Sequence, residues 1–142
     1  MKLFTFKVLT PERIVLEDDI ESATFPTADG EITVLADHIP YIAPLMAGEM
    51  LVKKSDGSEA AFAIAGGFVE FSNNVLSVLA DTVERAEEID IVRAEQARKR
   101  AEELMRERER MDEEEFARTA AVLERELARV KVAKKYRVYT HH

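Results

Sequence analysis

All five glycines and all four prolines of this 142-residue chain lie within residues 1–83. Gly supplies positive φ and Pro removes a backbone donor, so a stretch holding both is cut into short elements. A stretch with neither can run on as uninterrupted helix. Charge divides at the same point. Residues 1–83 carry 13 Asp+Glu against 5 Lys+Arg, which is the whole net charge of −8. Residues 84–142 carry 15 of each, including 11 of the 12 arginines. Dense, balanced charge belongs to long solvated helices. The sequence therefore predicts an α+β chain: an N-terminal all-β sandwich over 1–83, then a C-terminal antiparallel two-helix hairpin over 84–140.

Within 1–83 the turn signals space out short strands. Phe4, Phe6 and Val8 alternate with polar residues, the period of a half-buried strand. Thr10-Pro11 ends it. Ser22 to Pro26 is a second strand, and Ala28-Asp29-Gly30-Glu31 a turn before Ile32 to Leu35. Asp56-Gly57 and Ser72-Asn73-Asn74 each sit between apolar runs, as in β-hairpins. In the second half Ala94, Ala97, Ala101 and Leu104 form one helical stripe. Phe116, Ala120, Leu123, Leu127 and Val130 form another. Asp90 suits the first helix as N-cap, with Arg106, Arg108 and Arg110 in its last turns. Asp112 to Glu115 suit the start of the second. The stripes are narrow, which predicts a marginal hairpin and a mobile element.

The same residues narrow the chemistry. An acidic chain argues against a nucleic-acid partner. The lack of Cys excludes disulfides, thiolate zinc sites and cysteine nucleophiles. Of three His, His141 and His142 read as a purification-tag remnant, so no metal site is expected. No apolar run approaches the roughly 20 residues of a membrane span, so direct membrane insertion is not expected. No nucleophile–base set and no phosphate loop appears, which predicts no independent catalysis and no required cofactor.

Three clusters have two readings each. Asp90 and Arg93 form an N-cap with a local ion pair, or part of a binding motif. Arg93 and Arg100 share one face of the first helix, and Arg118, Arg125 and Arg129 one face of the second. They are either solvated and paired with Glu95, Glu103, Glu124 and Glu126, or they converge on a polyphosphate. Lys131, Lys134, Lys135 and Arg137 either complement the helix dipole or dock on an acidic partner.

Four blocks, in order and spacing, resemble the epsilon-subunit family of bacterial F-type ATP synthases. They are Asp29-Gly30-Glu31 with His38-x-Pro40, Ala65-Gly66-Gly67-Phe68-Val69-Glu70, Val78-Leu79-Ala80-Asp81, and Glu84-Arg85-Ala86-Glu87-Glu88-Ile89-Asp90. The resemblance implies a ten-stranded sandwich with two helices. It implies a noncatalytic rotor subunit of a proton-translocating synthase, at the cytoplasmic face of the cell membrane. Its partners would be the gamma subunit, the c-subunit ring and the alpha and beta subunits of the catalytic head. The hairpin would inhibit ATP hydrolysis when extended, with Lys131, Lys134, Lys135 and Arg137 docking on the head. Glu31 and His38 would contact the ring. A family ATP-binding motif is present as Ile89-Asp90-Ile91-Val92-Arg93-Ala94. With Glu84, Arg100, Arg125 and Arg129 it makes ATP the implied regulatory ligand. The chain departs from the family's usual G-E-L-G-I-L-P-G-H, reading Gly30-Glu31-Ile32-Thr33-Val34-Leu35-Ala36-Asp37-His38. The rival readings are a purely structural stalk subunit that binds no nucleotide, and an unrelated sandwich adaptor with a coiled-coil tail.

Overall fold

A computed structural model describes the backbone of residues 2–140 and the side chains of residues 2–136. Nine strands come first: β1 Phe4–Leu9, β2 Ile14–Thr27, β3 Gly30–Leu35, β4 Tyr41–Pro44, β5 Gly48–Lys54, β6 Glu59–Ala65, β7 Phe68–Ser72, β8 Val75–Leu79 and β9 Thr82–Arg85. Two helices follow, α1 Ile91–Met105 and α2 Glu113–Thr140. The last strand thus runs two residues past the composition break at Val83.

The strands form two layers joined by β2. Its first part pairs with β1, which continues through β8 and β7 to β4; its second part pairs with β3 and β5, and β5 leads on to β6 and β9. Counted once in each layer, β2 turns nine strands into five plus five, the ten of the family pattern. The register shifts between Ile20 and Ser22. Both Ile20 and Ala23 are buried, an odd spacing that plain alternation forbids. The extra residue, Glu21, resets the phase so that the strand keeps its apolar side inward as it changes layer. Sequence alternation alone found only the second part of β2. The acidic run Glu17-Asp18-Asp19 hid the first, where Glu17 faces Lys7 across the ladder at 3.9 Å.

Between the layers pack Phe4, Phe6, Ile20, Phe25, Met50 and Phe71 among others, with Phe4 edge-on to Phe71 at 5.5 Å. The Asn73-Asn74 turn takes φ of 52° and 59°, the left-handed pair that a two-residue hairpin needs. A second cluster lies outside the sandwich. Ala61 and Ala63 of β6 meet Ala86, Ile89, Ala94, Val130, Val132 and Ala133. β6 is therefore buried on both faces, which explains its continuous apolar run. The hairpin is folded: α1 packs on α2, and α2 lies across β5 and β6.

Asp90 caps α1, its carboxylate accepting from the Arg93 amide at 3.1 Å, and Asp112 accepts from the Glu115 amide at 2.8 Å. α1 stops at Met105, so Arg106, Arg108 and Arg110 fall beyond its last turn; Arg108 instead lies over the Phe116 ring at 4.9 Å. Leu104 and Leu127 of the expected stripes are exposed. α2 packs against α1 and the sheet together, so its buried face is broader than one stripe and centres on Ala128, Val130, Val132 and Ala133.

Candidate functional site

Residues 125, 126 and 129 lie on neighbouring positions of one α2 face, three and four apart. Arg129 donates from Nε and Nη2 to Glu84 at 3.0–3.2 Å, and from Nη1 to Glu126 at 2.8 Å. Arg125 donates from Nε to Glu126 at 3.2 Å. Glu84 is on the edge strand β9, so this network ties the end of the sandwich to α2. Glu126 is 2% exposed. Two guanidinium groups and two carboxylates leave the network with no net charge. Burial pushes the Arg129 guanidinium down, but hydrogen bonds to Glu84 and Glu126 hold it above its ordinary value. A cleft of about 250 Å³ opens there, walled by Ala63, Ile64, Thr82 and Val83. A second cleft of about 290 Å³ meets it at Thr82 and Arg125. Each lies just below the roughly 300–1,000 Å³ of small-molecule sites.

The other residues of the expected nucleotide site lie elsewhere. Ile89 and Ala94 are fully buried under the hairpin. Asp90 and Arg93 are exposed, 3.8 Å apart as an ion pair, with the Arg93 side chain 84% exposed. Arg100 is exposed on α1. Neither Arg93 nor Arg100 lines the cleft. The structure thus joins Glu84, Arg125 and Arg129 and leaves Arg93 and Arg100 outside. Asp90→Ala should cost about 1 kcal/mol of hairpin stability as a lost cap. Arg93→Ala should cost under about 0.5 kcal/mol, as a surface pair. Urea unfolding followed by helical circular dichroism measures both.

The basic end of α2 is tied down. Lys134 meets Glu95 of α1 at 2.7 Å, and Lys135 meets Glu49 of β5 at 2.9 Å. The Lys134 hydrogen bond holds Glu95 below its usual range, and Glu49 raises Lys135. Burial, with the negative charge of Glu49, pushes Tyr136 up to about 12. Lys131 is exposed. The Arg137 side chain, like His141 and His142, lies outside the described residues.

Glu31 is exposed at the start of β3, where it lines a cleft of about 440 Å³ with Glu49 of β5 and Leu127, Lys131 and Lys135 of α2. His38 turns inward: Nδ1 donates to the Ile39 carbonyl at 2.6 Å, and the ring stands edge-on to Tyr41 and Phe71. The side chains that face outward are Leu35, Ile39 and Ile42, the last two 73% and 65% exposed. Asp37, where the family usually has Gly, takes φ +69°. It is held there by Asn74, whose Oδ1 accepts from the Asp37 amide at 2.7 Å, and by Lys2 at 2.8 Å. Across the uncovered outer face of the first layer runs an apolar row. Pro44 pairs with Phe68, Phe68 with Leu79, Leu79 with Leu9, and Leu9 with Ile14. Phe68, Leu79 and Ile14 are 40%, 37% and 56% exposed.

The beta-sandwich domain model of the ATP synthase delta/epsilon chain matches residues 3–86, and its long alpha-helix domain model matches residues 87–134. The chain belongs to this family. Among curated relatives, the ATP synthase epsilon chain of Moorella thermoacetica is 41% identical over 133 residues, covering 94% of this chain and 98% of that one. That of Latilactobacillus sakei is 37% identical over 134 residues, covering 92% of each. A chain in the Euglena gracilis mitochondrial ATP synthase, OSCP/F1/c-ring, shares the fold with a TM-score of 0.74 at 22% identity, over 86% of this chain and 76% of that one.

As a member of the delta/epsilon family, the chain carries features that its sequence motifs did not point to. The apolar row was invisible because its members come from five strands, and only the cross-strand register lines them up. Glu126 read as one solvated counter-ion among several; only the docking of α2 on β6 and β9 buries it.

Proposed function

We propose that this chain is the noncatalytic rotor subunit of the central stalk of a proton-translocating F-type ATP synthase. Its sandwich joins the gamma subunit and the c ring and couples ring rotation to the alpha and beta subunits of the catalytic head. It sits at the cytoplasmic face of the cell membrane, held there through the complex. Membership of the ATP synthase delta/epsilon family across both domains, in order, carries this reading. The apolar row from Pro44 to Ile14 supports it as the gamma-facing surface, because a row of exposed apolar side chains on an uncovered sheet face suits a permanent partner. Leu35, Ile39 and Ile42, around His38, suit the ring, as does Glu31 at the other end of β3.

The hairpin is the regulatory part. In the folded state Glu95 and Glu49 occupy Lys134 and Lys135, so the basic end reaches an acidic head surface only after α2 lets go. ATP, with its phosphates on Arg125 and Arg129, would hold the folded state by RT ln(1 + [L]/Kd). Arg93 and Arg100 join the site only if α1 shifts toward the cleft.

Reconstitution tests the stalk reading. Capture by purified gamma subunit should fall at least about tenfold in a Phe68→Asp, Leu79→Asp chain, as two charges enter an apolar contact. A Cys at Glu31 should crosslink to a c subunit in the assembled enzyme. Unchanged gamma capture, together with crosslinking to a head subunit, would reject the orientation.

A further inference from the structure

Glu126 is buried to 2% exposure on a helix whose Glu124, two residues away, is exposed. Its oxygens accept from Arg125 at 3.2 Å and from Arg129 at 2.8 Å, while the other donors of Arg129 go to Glu84. All three guanidinium nitrogens of Arg129, and Nε of Arg125, therefore already grip carboxylates. An incoming polyanion meets a network without net charge, and it engages Arg129 in the same fork only by taking a carboxylate's place.

We propose that Glu126 is the resident counter-anion of this cleft: it holds Nε of Arg125 and Nη1 of Arg129, two positions that a polyphosphate would use, and so sets how weakly the cleft accepts one. This rests on the nucleotide reading given above and adds to it the residue that tunes affinity. Carboxylate and phosphate both make charge-assisted bonds to guanidinium, so exchange gains only their difference. The displaced Glu126 must also rotate out to water, because a buried carboxylate without partners is costly. Glu126→Gln keeps the shape and removes the charge. The network then carries one net positive charge, and the exchange no longer strands an anion.

Calorimetric titration of the full chain with ATP and with tripolyphosphate tests this. Glu113→Gln serves as control, since it removes the same charge from the exposed start of α2, away from both clefts. Glu126→Gln should bind ATP at least about tenfold tighter than wild type, and Glu113→Gln within about twofold of wild type. Equal ATP affinity in wild type and Glu126→Gln overturns the role of Glu126 and leaves the nucleotide reading standing. No heat with ATP in either chain, but tripolyphosphate bound about tenfold tighter by Glu126→Gln, rejects ATP and supports the counter-anion. Binding of neither ligand to either chain overturns both. Should Glu126→Gln lose its helix amide protection, Glu126→Asp replaces it. The shorter carboxylate no longer spans both arginines, so a gain of about threefold is expected, and no gain overturns the proposal.

Discussion

Replacing Arg129 with Met should release the hairpin from the sandwich while leaving the sandwich intact. Met keeps most of the aliphatic stem but removes every donor that ties β9 to α2. Glu84 then loses its partner, and the buried Glu126 keeps only Arg125. Breaking a fully buried ion pair from one side costs about 3–5 kcal/mol. Arg129 is 24% exposed and Glu84 29%, so solvent screening reduces this to about 2–3 kcal/mol. That is large against what else holds α2, because the seam outside the sandwich is built chiefly from Ala and Val, with Ile89 its largest fully buried member. Each small side chain contributes little transfer energy. The core between the sheets contains no helix side chain among the described residues, so the two parts should separate in their response. Hydrogen exchange reads this directly: α2 amides around Val130 to Ala133 should exchange about 30-fold faster or more, while those of β1 and β8 stay as protected as before. Unchanged protection in α2 would mean that apolar packing alone holds the hairpin. In the assembled enzyme the same substitution should strengthen inhibition of ATP hydrolysis at low ATP, as the freed basic end becomes available to the head.

The division of labour between the halves was legible because it is written in composition. Gly and Pro at turns, and their absence from two long amphipathic runs, act locally, and local rules survive the loss of tertiary context. The hairpin at Asn73-Asn74 and the caps at Asp90 and Asp112 belong to this class. What stayed hidden depends on partners distant in the chain. The first part of β2 is acidic and reads as loop until β1 is laid beside it. β4 and β9 are four-residue edge strands, too short to show a period. The α2 stripe was displaced because the helix has two neighbours, and Leu127, the obvious core residue by spacing, ends 45% exposed. The arginine pattern put Arg118, Arg125 and Arg129 on one face; Arg125 and Arg129 do meet, since four residues apart on a helix is a local fact, whereas Arg118 stays on the surface paired with Glu114 at 3.2 Å. The pattern did not determine whether Arg93 and Arg100 meet that pair, because that depends on how α1 is rotated against α2.

Gly67→Ala should be the most damaging change to the sandwich made by a single methyl group. Gly67 has φ +94°, and a Cβ there would clash with the Leu79 carbonyl oxygen, lie 2.8 Å from its carbon and 2.9 Å from the Ala80 Cα. All three are backbone atoms of the β8 end, which no rotamer change can move aside. Gly67 also accepts from the Leu45 amide at 3.0 Å, so a shift to relieve the clash disturbs the chain leaving β4. The expected loss is at least about 3 kcal/mol, strain and displaced ladder together. Gly57→Ala separates the two contributions. Gly57 has φ +87° but open space where a Cβ would go, so only the left-handed strain remains, about 1 kcal/mol. Urea unfolding of the two variants should therefore differ by about 2 kcal/mol, and equal losses would show that close approach at Gly67 is relieved at no cost. The functional consequence follows from register. Phe68, the next residue, pairs with Leu79, and both belong to the apolar row proposed for the gamma subunit. Moving β7 away from β8 splits that row at its centre. Gly67→Ala should thus weaken gamma capture even at temperatures where the chain is still folded, whereas Gly57→Ala, at a hairpin tip outside the row, should not.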